Sequence, residues 1–215
     1  MSKRDPQLTR RKLLEAAFAE IQRRGFGGAS LDAILRSAKV TKGALYHHFP
    51  SKSALGYAVV DELFGQSIRN QWVRPLQEAE DPITGLQETL QTQIADKPLE
   101  QLDLEAPAIR LAQEMSSQDE GFRKRLDNVM TAWRGGIAAT LSRGQRDGTV
   151  REDVDVHRVS AFIVAAIAGI LATAKSARNI DQLRSNTEIL SSYLHGLRAA
   201  PKRFTTATSQ ALHAQ

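Results

Sequence analysis

A chain of 215 residues, 41 % hydrophobic and 25 % charged, is long enough to bury a core as one large domain or as a small domain joined to a larger one. It has no cysteine, which excludes disulfide frameworks, thiolate metal sites, cysteine nucleophiles and thiol sensing of oxidants, and which fits a cytoplasmic address. The net charge of +5 is unevenly spread: the first 53 residues hold eleven Lys and Arg against four Asp and Glu, whereas the remainder is mildly acidic. That asymmetry points to a polyanion partner for the N-terminal part only; a solvated charged face is the alternative a charge count leaves open.

The opening MSKRDPQLTRRK is basic, with no apolar stretch behind it of the kind a secretory signal needs. Residues 8–24 set Leu8, Leu13, Leu14, Ala17, Phe18 and Ile21 on one helical face, with Gly25 as a C-terminal stop. Ser30 precedes a short second helix, LDAILRSAK, with Asp32 in the first turn where the helix dipole favours a carboxylate. Thr41 caps a third, KGALYHHF, which Pro50 and Ser51 end. Two short helices joined by a tight connection behind a supporting first helix form a helix-turn-helix, here residues 1–53.

A fourth helix is expected from Lys52 to about Arg74, where Pro75 ends or bends it. Asp81-Pro82 opens another to about Ala95, followed by helices over 108–116, 119–147, 155–177 and 179–199. The expected fold is therefore all-α with about nine helices, residues 54–200 forming a helical body and 201–215 a disordered tail. The apolar run over 159–174 rises roughly 24 Å at ~1.5 Å per residue, short of the ~30 Å hydrocarbon core, so a buried helix is expected rather than a membrane span. It is apolar almost all round and rich in small residues: Ala161, Ala165, Ala168, Gly169 and Ala172. Cover for its second side is expected from another copy of the chain across a two-fold interface.

The chemistry concentrates in TKGALYHHFPSK, residues 41–52. A metal or catalytic dyad is poorly served: His47 and His48 point about 100° apart on a helix, and no acid lies between Asp32 and Asp61 to ligate or orient. Phosphate binding is well served. The first turn of the third helix behind Thr41 offers free N–H groups, Gly43 permits close backbone approach, Tyr46 and His48 can donate hydrogen bonds, and Lys52 adds a point charge.

The run ASLDAILRSAKVTKGALYHHFPSKSAL resembles the DNA-binding domain of the tetracycline-repressor (TetR) family of bacterial transcriptional regulators. The family's aromatic-x-His-Phe-x-x-Lys signature is matched by Tyr46, His48, Phe49 and Lys52, behind Gly43. LAQEMSSQDEGFRKRL and GQRDGTVREDVD resemble the family's C-terminal ligand domains more loosely. The resemblance implies a cytoplasmic, nucleoid-associated homodimer, without cofactor, metal or membrane, that grips a near-palindromic double-stranded DNA operator and is released by a small-molecule effector. By position, Ser30, Thr41, Tyr46, His48 and Lys52 would contact the DNA backbone, and Lys42, Ala44 and His47 would face base edges.

For Ala44 mere helix propensity is the alternative, for Phe49 a place in the core, and for Lys3, Arg4, Arg10 and Arg11 simple solvation rather than a reach to flanking phosphate. The resemblance also implies a ligand cavity among the middle helices, with Trp72, Arg110, Met115, Met130, Trp133, Arg134 and Phe162 as candidate lining, and dimerisation through the last two helices, adding Ile189 and Tyr193 to the small-residue stripe. The apolar character of that lining favours a small, largely apolar organic effector. The competing class is a small helical enzyme or binding protein with a basic patch, for which no nucleophile–base pair, phosphate loop or paired carboxylates is apparent; Asp153 and Asp155 are explained by capping.

Overall fold

The computed structural model describes residues 5–96, 98 and 107–200; Lys3, Arg4 and the expected tail over 201–215 lie outside the described residues. Helix α1, Pro6–Gly28, starts at Asp5, whose carboxylate accepts the N–H groups of Gln7 and Leu8. Gly25 breaks its regular ladder with a kink, where the sequence places a stop. The chain passes through Gly25 at φ 74°, a left-handed conformation suited to glycine, and makes one more turn to Gly28. Helices α2, Leu31–Ala38, and α3, Lys42–His48, are capped as expected by Ser30 and Thr41. Leu45 and Phe49 are buried with Leu13, Ala17 and Ile34, so Phe49 is a core residue and α3 is docked on α1.

Helix α4 runs without interruption over residues 52–78, starting at the Ser51 cap. Two widened turns, Val60–Phe64 and Arg69–Val73, interrupt its regular ladder: the N–H of Gly65 bonds the carbonyl of Val60, and that of Arg74 bonds the carbonyl of Arg69, each five residues back. The expected end at Arg74 is thus overshot. Pro75 lacks an N–H and would crowd the carbonyl four residues back, and it follows directly on the second widened turn, where the i→i−4 ladder is already broken. The 53/54 division lies inside this helix, which carries the head into the body.

The body is built from α5 over residues 82–95, α6 Pro107–Met115, α7 Glu120–Arg146, α8 Val156–Ala177 and α9 Ile180–His195. No strand occurs among the described residues, only an isolated antiparallel bridge between Val150 and Arg198. The inner face of α7 (Phe122, Leu126, Val129, Trp133, Ile137, Leu141) is buried along α4. Helix α8 packs Ile163, Val164, Ile167, Ile170, Leu171 and Ala174 into the core, while Ala161, Phe162, Ala165, Gly169 and Ala172 face outward and are exposed. It is the one described helix long and apolar enough to cross a membrane, yet the single chain covers one of its sides with core. The outer side, for which cover from another copy is expected, is left uncovered by the single chain.

Asp81 caps α5 through the Thr84 N–H (2.7 Å) and receives two bonds from Arg198 at the far end of the described chain (3.0 and 2.7 Å). Burial alone would raise this carboxyl, but the Arg198 and Thr84 hydrogen bonds outweigh it and hold its pKa at about 2. The folded-state value lies below the ordinary 3.8, so the contribution is complete at neutral pH and drains as pH falls from about 5 to 2. Asp81→Asn is expected to lower stability at pH 7 and to flatten the acid limb of a urea-denaturation profile across that window; an unchanged limb would contradict the tie. At Gly56, an added Cβ would lie 2.6 Å from ring carbons of both Phe26 and Phe122, whereas at Gly135 it would meet nothing within 4 Å. Gly56→Ala should therefore destabilise by about 1–3 kcal/mol through overpacking, and Gly135→Ala should stabilise by roughly 0.5–1 kcal/mol as a mid-helix replacement, both read from denaturant midpoints.

Candidate nucleic-acid interface

Helix α3 has seven residues, and Leu45 is the buried one among them. The other positions are turned outward: Lys42, Gly43, Tyr46 and His47 are exposed, Ala44 and His48 half-buried. A Cβ built on Gly43 would meet nothing within 4 Å, so the backbone there is open to close approach. The imidazoles of His47 and His48 meet edge to face, their centroids 5.3 Å apart and their planes at 69°, so the two rings touch where helix geometry alone would set them about 100° apart. Among the described residues no group of three or more His, Asp or Glu side chains is gathered where it could hold a metal ion.

The hydroxyls of Ser30 and Thr41 accept the N–H groups of Ala33 and Ala44, each leaving its own O–H to donate outward. Ser30, Lys42 and Tyr46 border one shallow cleft between α2 and α3, and Asp32 borders it too, so the acid-free stretch of sequence is not acid-free in space. Lys52, in the first turn of α4, is folded back: its ammonium donates to the Gly27 carbonyl (3.3 Å) and lies 4.7 Å from the Phe26 ring centroid. Arg10 and Arg11 are not loose arms. Arg10 forms a two-pronged pair with Glu62 and covers the Phe49 ring at 5.4 Å, and Arg11 bonds Glu15 at 2.7 Å. Burial and the Glu62 partner act in opposite senses on the guanidinium, and the hydrogen bond prevails, raising its pKa.

The candidate ligand residues scatter. Trp72 and Trp133 pack on one another at 4.9 Å, both in the core, and Met115 is also buried. Arg110 holds the carbonyls of Ile21 and Gln22 at the end of α1. Phe162 is half exposed and meets Tyr193 edge-on at 5.1 Å on the outer face of α8 and α9. It belongs with the expected dimer residues Ile189 and Tyr193, not with a cavity, because its position on α8 is opposite the core face. Met130 and Arg134 do line a space: an open, mainly apolar cleft of about 470 Å³ between α6, α7 and α8, together with Ile109, Ala112, Gln113, Val164 and three of the stripe residues, Ala161, Ala165 and Ala168.

Sequence reasoning missed Glu114, which accepts the N–H groups of Phe26 and Gly27 (3.0 and 2.6 Å). It also missed the Tyr57 hydroxyl, which donates to the Asp119 carboxylate at 2.7 Å beneath the Arg125 guanidinium. Neither carries a sequence signal, since the partners stand more than sixty positions apart.

Comparison with known proteins agrees with this architecture. Residues 13–59 match the family described as bacterial regulatory proteins, tetR family, and residues 107–190 match the tetracyclin repressor-like C-terminal domain. An uncharacterised HTH-type transcriptional regulator of Lactococcus lactis subsp. lactis is 28 % identical over 182 residues, 85 % of this chain and 91 % of that one. The HTH-type transcriptional repressor DhaR of Mycobacterium sp. (strain GP1) is 27 % identical over 176 residues, 81 % and 86 % of the two chains. In fold, a TetR transcriptional regulator from Chloroflexus aurantiacus J-10-FL superposes with a TM-score of 0.78 at 24 % identity, over 92 % of this chain and 100 % of that chain. The helix-turn-helix head, the all-helical body and the two matched segments agree: the chain belongs to the tetracycline-repressor family of bacterial transcriptional regulators, DNA-binding proteins rather than enzymes.

Proposed function

We propose that the protein is a cytoplasmic, homodimeric repressor that binds a near-palindromic operator on the nucleoid and leaves it when a small organic effector binds the body. The observation that carries the DNA reading is α3 itself, a capped seven-residue helix held from one side by Leu45 with its polar residues turned outward. In this reading residues 1–53 are the DNA-binding unit and 54–200 the ligand-binding and dimerisation unit. Ser30, Thr41, Tyr46, His48 and Lys52 bind phosphate, and Lys42, Ala44 and His47 face base edges in the major groove.

Repression as the sense of regulation is supported by the name of DhaR. The effector seat is the cleft between α6, α7 and α8, where apolar walls and the Arg134 guanidinium suit a mainly apolar molecule with one polar group. The exposed stripe of Ala161, Phe162, Ala165, Gly169 and Ala172 with Ile189 and Tyr193 supports pairing of α8 and α9 with the same helices of a second copy, and the two heads of such a dimer would fall on half-sites ~34–36 Å apart.

Operator DNA selected from a random duplex pool by the purified protein tests the division of labour within α3. Lys52→Ala and His48→Ala are expected to weaken binding about equally on every sequence, with Lys52→Ala reducing the slope of log K against log salt by about 1. His47→Ala and Lys42→Ala are expected to change the preferred sequence, each lost base contact costing about 1–3 kcal/mol of discrimination. Identical effects of His47→Ala and His48→Ala across sequences would undo the assignment, and no DNA binding at low salt would undo the function. In sedimentation velocity the wild type should run as a dimer and Phe162→Glu with Ile189→Asp as a folded monomer that binds operator at least tenfold more weakly. A wild type that is monomeric at micromolar concentration would refute the pairing.

A further inference from the structure

Helix α6 stands between the cleft and the head, and its two sides do different things. Ile109, Ala112 and Gln113 line the cleft, whereas Arg110 and Glu114, one turn apart, reach the end of α1. The Glu114 carboxylate takes the N–H groups of both Phe26 and Gly27, one on each oxygen. This grip depends on the Gly25 turn: at φ +74° the backbone folds so close to Glu114 that any Cβ on Gly25 would collide with the carboxylate. The main chain so fixed is the main chain that Lys52 uses. Its ammonium donates to the Gly27 carbonyl at 3.3 Å and sits 4.7 Å from the centre of the Phe26 ring. Residues 26 and 27 are therefore held by the body through their N–H groups and hold the lysine through a carbonyl and an aromatic face.

We propose that Glu114 is a positioning residue for DNA binding: by fixing Phe26 and Gly27 it fixes the two groups that aim the Lys52 ammonium. This rests on the reading of Lys52 as a phosphate contact. Lysine has a long flexible stem and three donors, so one hydrogen bond and one ring contact can restrict the stem and leave two N–H groups for phosphate oxygens. Without Glu114 the N–H groups of Phe26 and Gly27 lose their acceptor while Arg110 still holds the preceding turn, and Lys52 must be ordered anew each time DNA binds. The carboxylate is a single residue far from α3 in sequence, yet its effect is confined to one phosphate contact.

A double-mutant cycle on full-length protein tests this, with selected operator and a random duplex of the same length as DNA. Lys52→Ala should weaken binding to both and lower the salt slope by about 1. Glu114→Ala should weaken both DNAs about three- to tenfold and lower the slope in the same sense, and in the Lys52→Ala background it should change affinity by less than about twofold. Glu114→Gln, which keeps one acceptor oxygen, should fall between wild type and Glu114→Ala, and it serves as the folded comparison should the alanine variant lose its helical circular dichroism. Full additivity of the two substitutions, or an unaltered salt slope in both Glu114 variants, overturns the positioning role while leaving Lys52 as a phosphate contact. An unaltered slope in Lys52→Ala instead overturns the phosphate reading itself.

Discussion

Everything that joins the head to the body depends on a bare patch of helix at Gly56. There α4 presents only hydrogen, and the rings of Phe26, from the kinked end of α1, and Phe122, from the first turn of α7, close over it at a centroid distance of 4.5 Å. Polar ties surround this point: Tyr57 to Asp119, Arg125 to Asp61, and Glu114 to Phe26 and Gly27. The hydrogen bond between Tyr57 and Asp119 raises the phenol pKa and lowers that of the carboxyl, which strengthens a neutral–anion pair at neutral pH. A net hydrogen bond contributes about 0.5–1.5 kcal/mol and an exposed ion pair ~0–1, whereas removing a buried phenylalanine costs ~3–5. The rings therefore hold the junction together, and the polar ties add smaller increments around them.

The same economy of geometry explains α4. Val60, Phe64, Ile68, Trp72 and Leu76 are all buried and stand at a strict spacing of four. In a regular helix every fourth residue advances about 40° past a full turn, so five such residues would drift roughly 160° around the axis and could not all face α7. The widened turns at Val60–Phe64 and Arg69–Val73 take up this drift and keep the row on one side, with Trp72 against Trp133 and Val73 against the bare Gly136. One continuous helix can then serve as partner to α1 at its start and to α7 along the rest of its length.

That spacing was in the sequence, and it is the signal by which the widened turns were legible in principle; a search for 3.6-residue periodicity passes over it. What sequence reasoning recovers well is decided within three or four residues: the caps Ser30, Thr41, Ser51, Asp81 and Asp155, and the helix-turn-helix they punctuate. What it misses is decided across dozens of positions. Trp72 and Phe162 are both large and apolar, and nothing local distinguishes the one that fills the core from the one that lies on the outer face of α8. Arg10 and Lys52 look like free cations in the sequence, yet the fold supplies Glu62 to the first and the Gly27 carbonyl to the second. Asp32 looks remote from Lys42, and the turn between α2 and α3 brings both to one cleft.

A seven-residue helix has no stability of its own, because the cost of nucleation is not recovered over so few hydrogen bonds. The order of α3 is borrowed from what lies beneath it: Leu45 and Phe49 set into α1 and α2, the Thr41 cap at one end, and Arg10 laid over Phe49 while paired with Glu62 of α4. Apart from the local Thr41 cap, the supports rest on α1, α2 and α4, and α1 and α4 also meet at Gly56. The outward face of α3 can thus consist almost wholly of polar and small residues without loss of definition, since none of them is needed to hold the helix in place. Adjacent histidines in edge-to-face contact are tolerated there for the same reason, and the surface is free to be composed for what it touches.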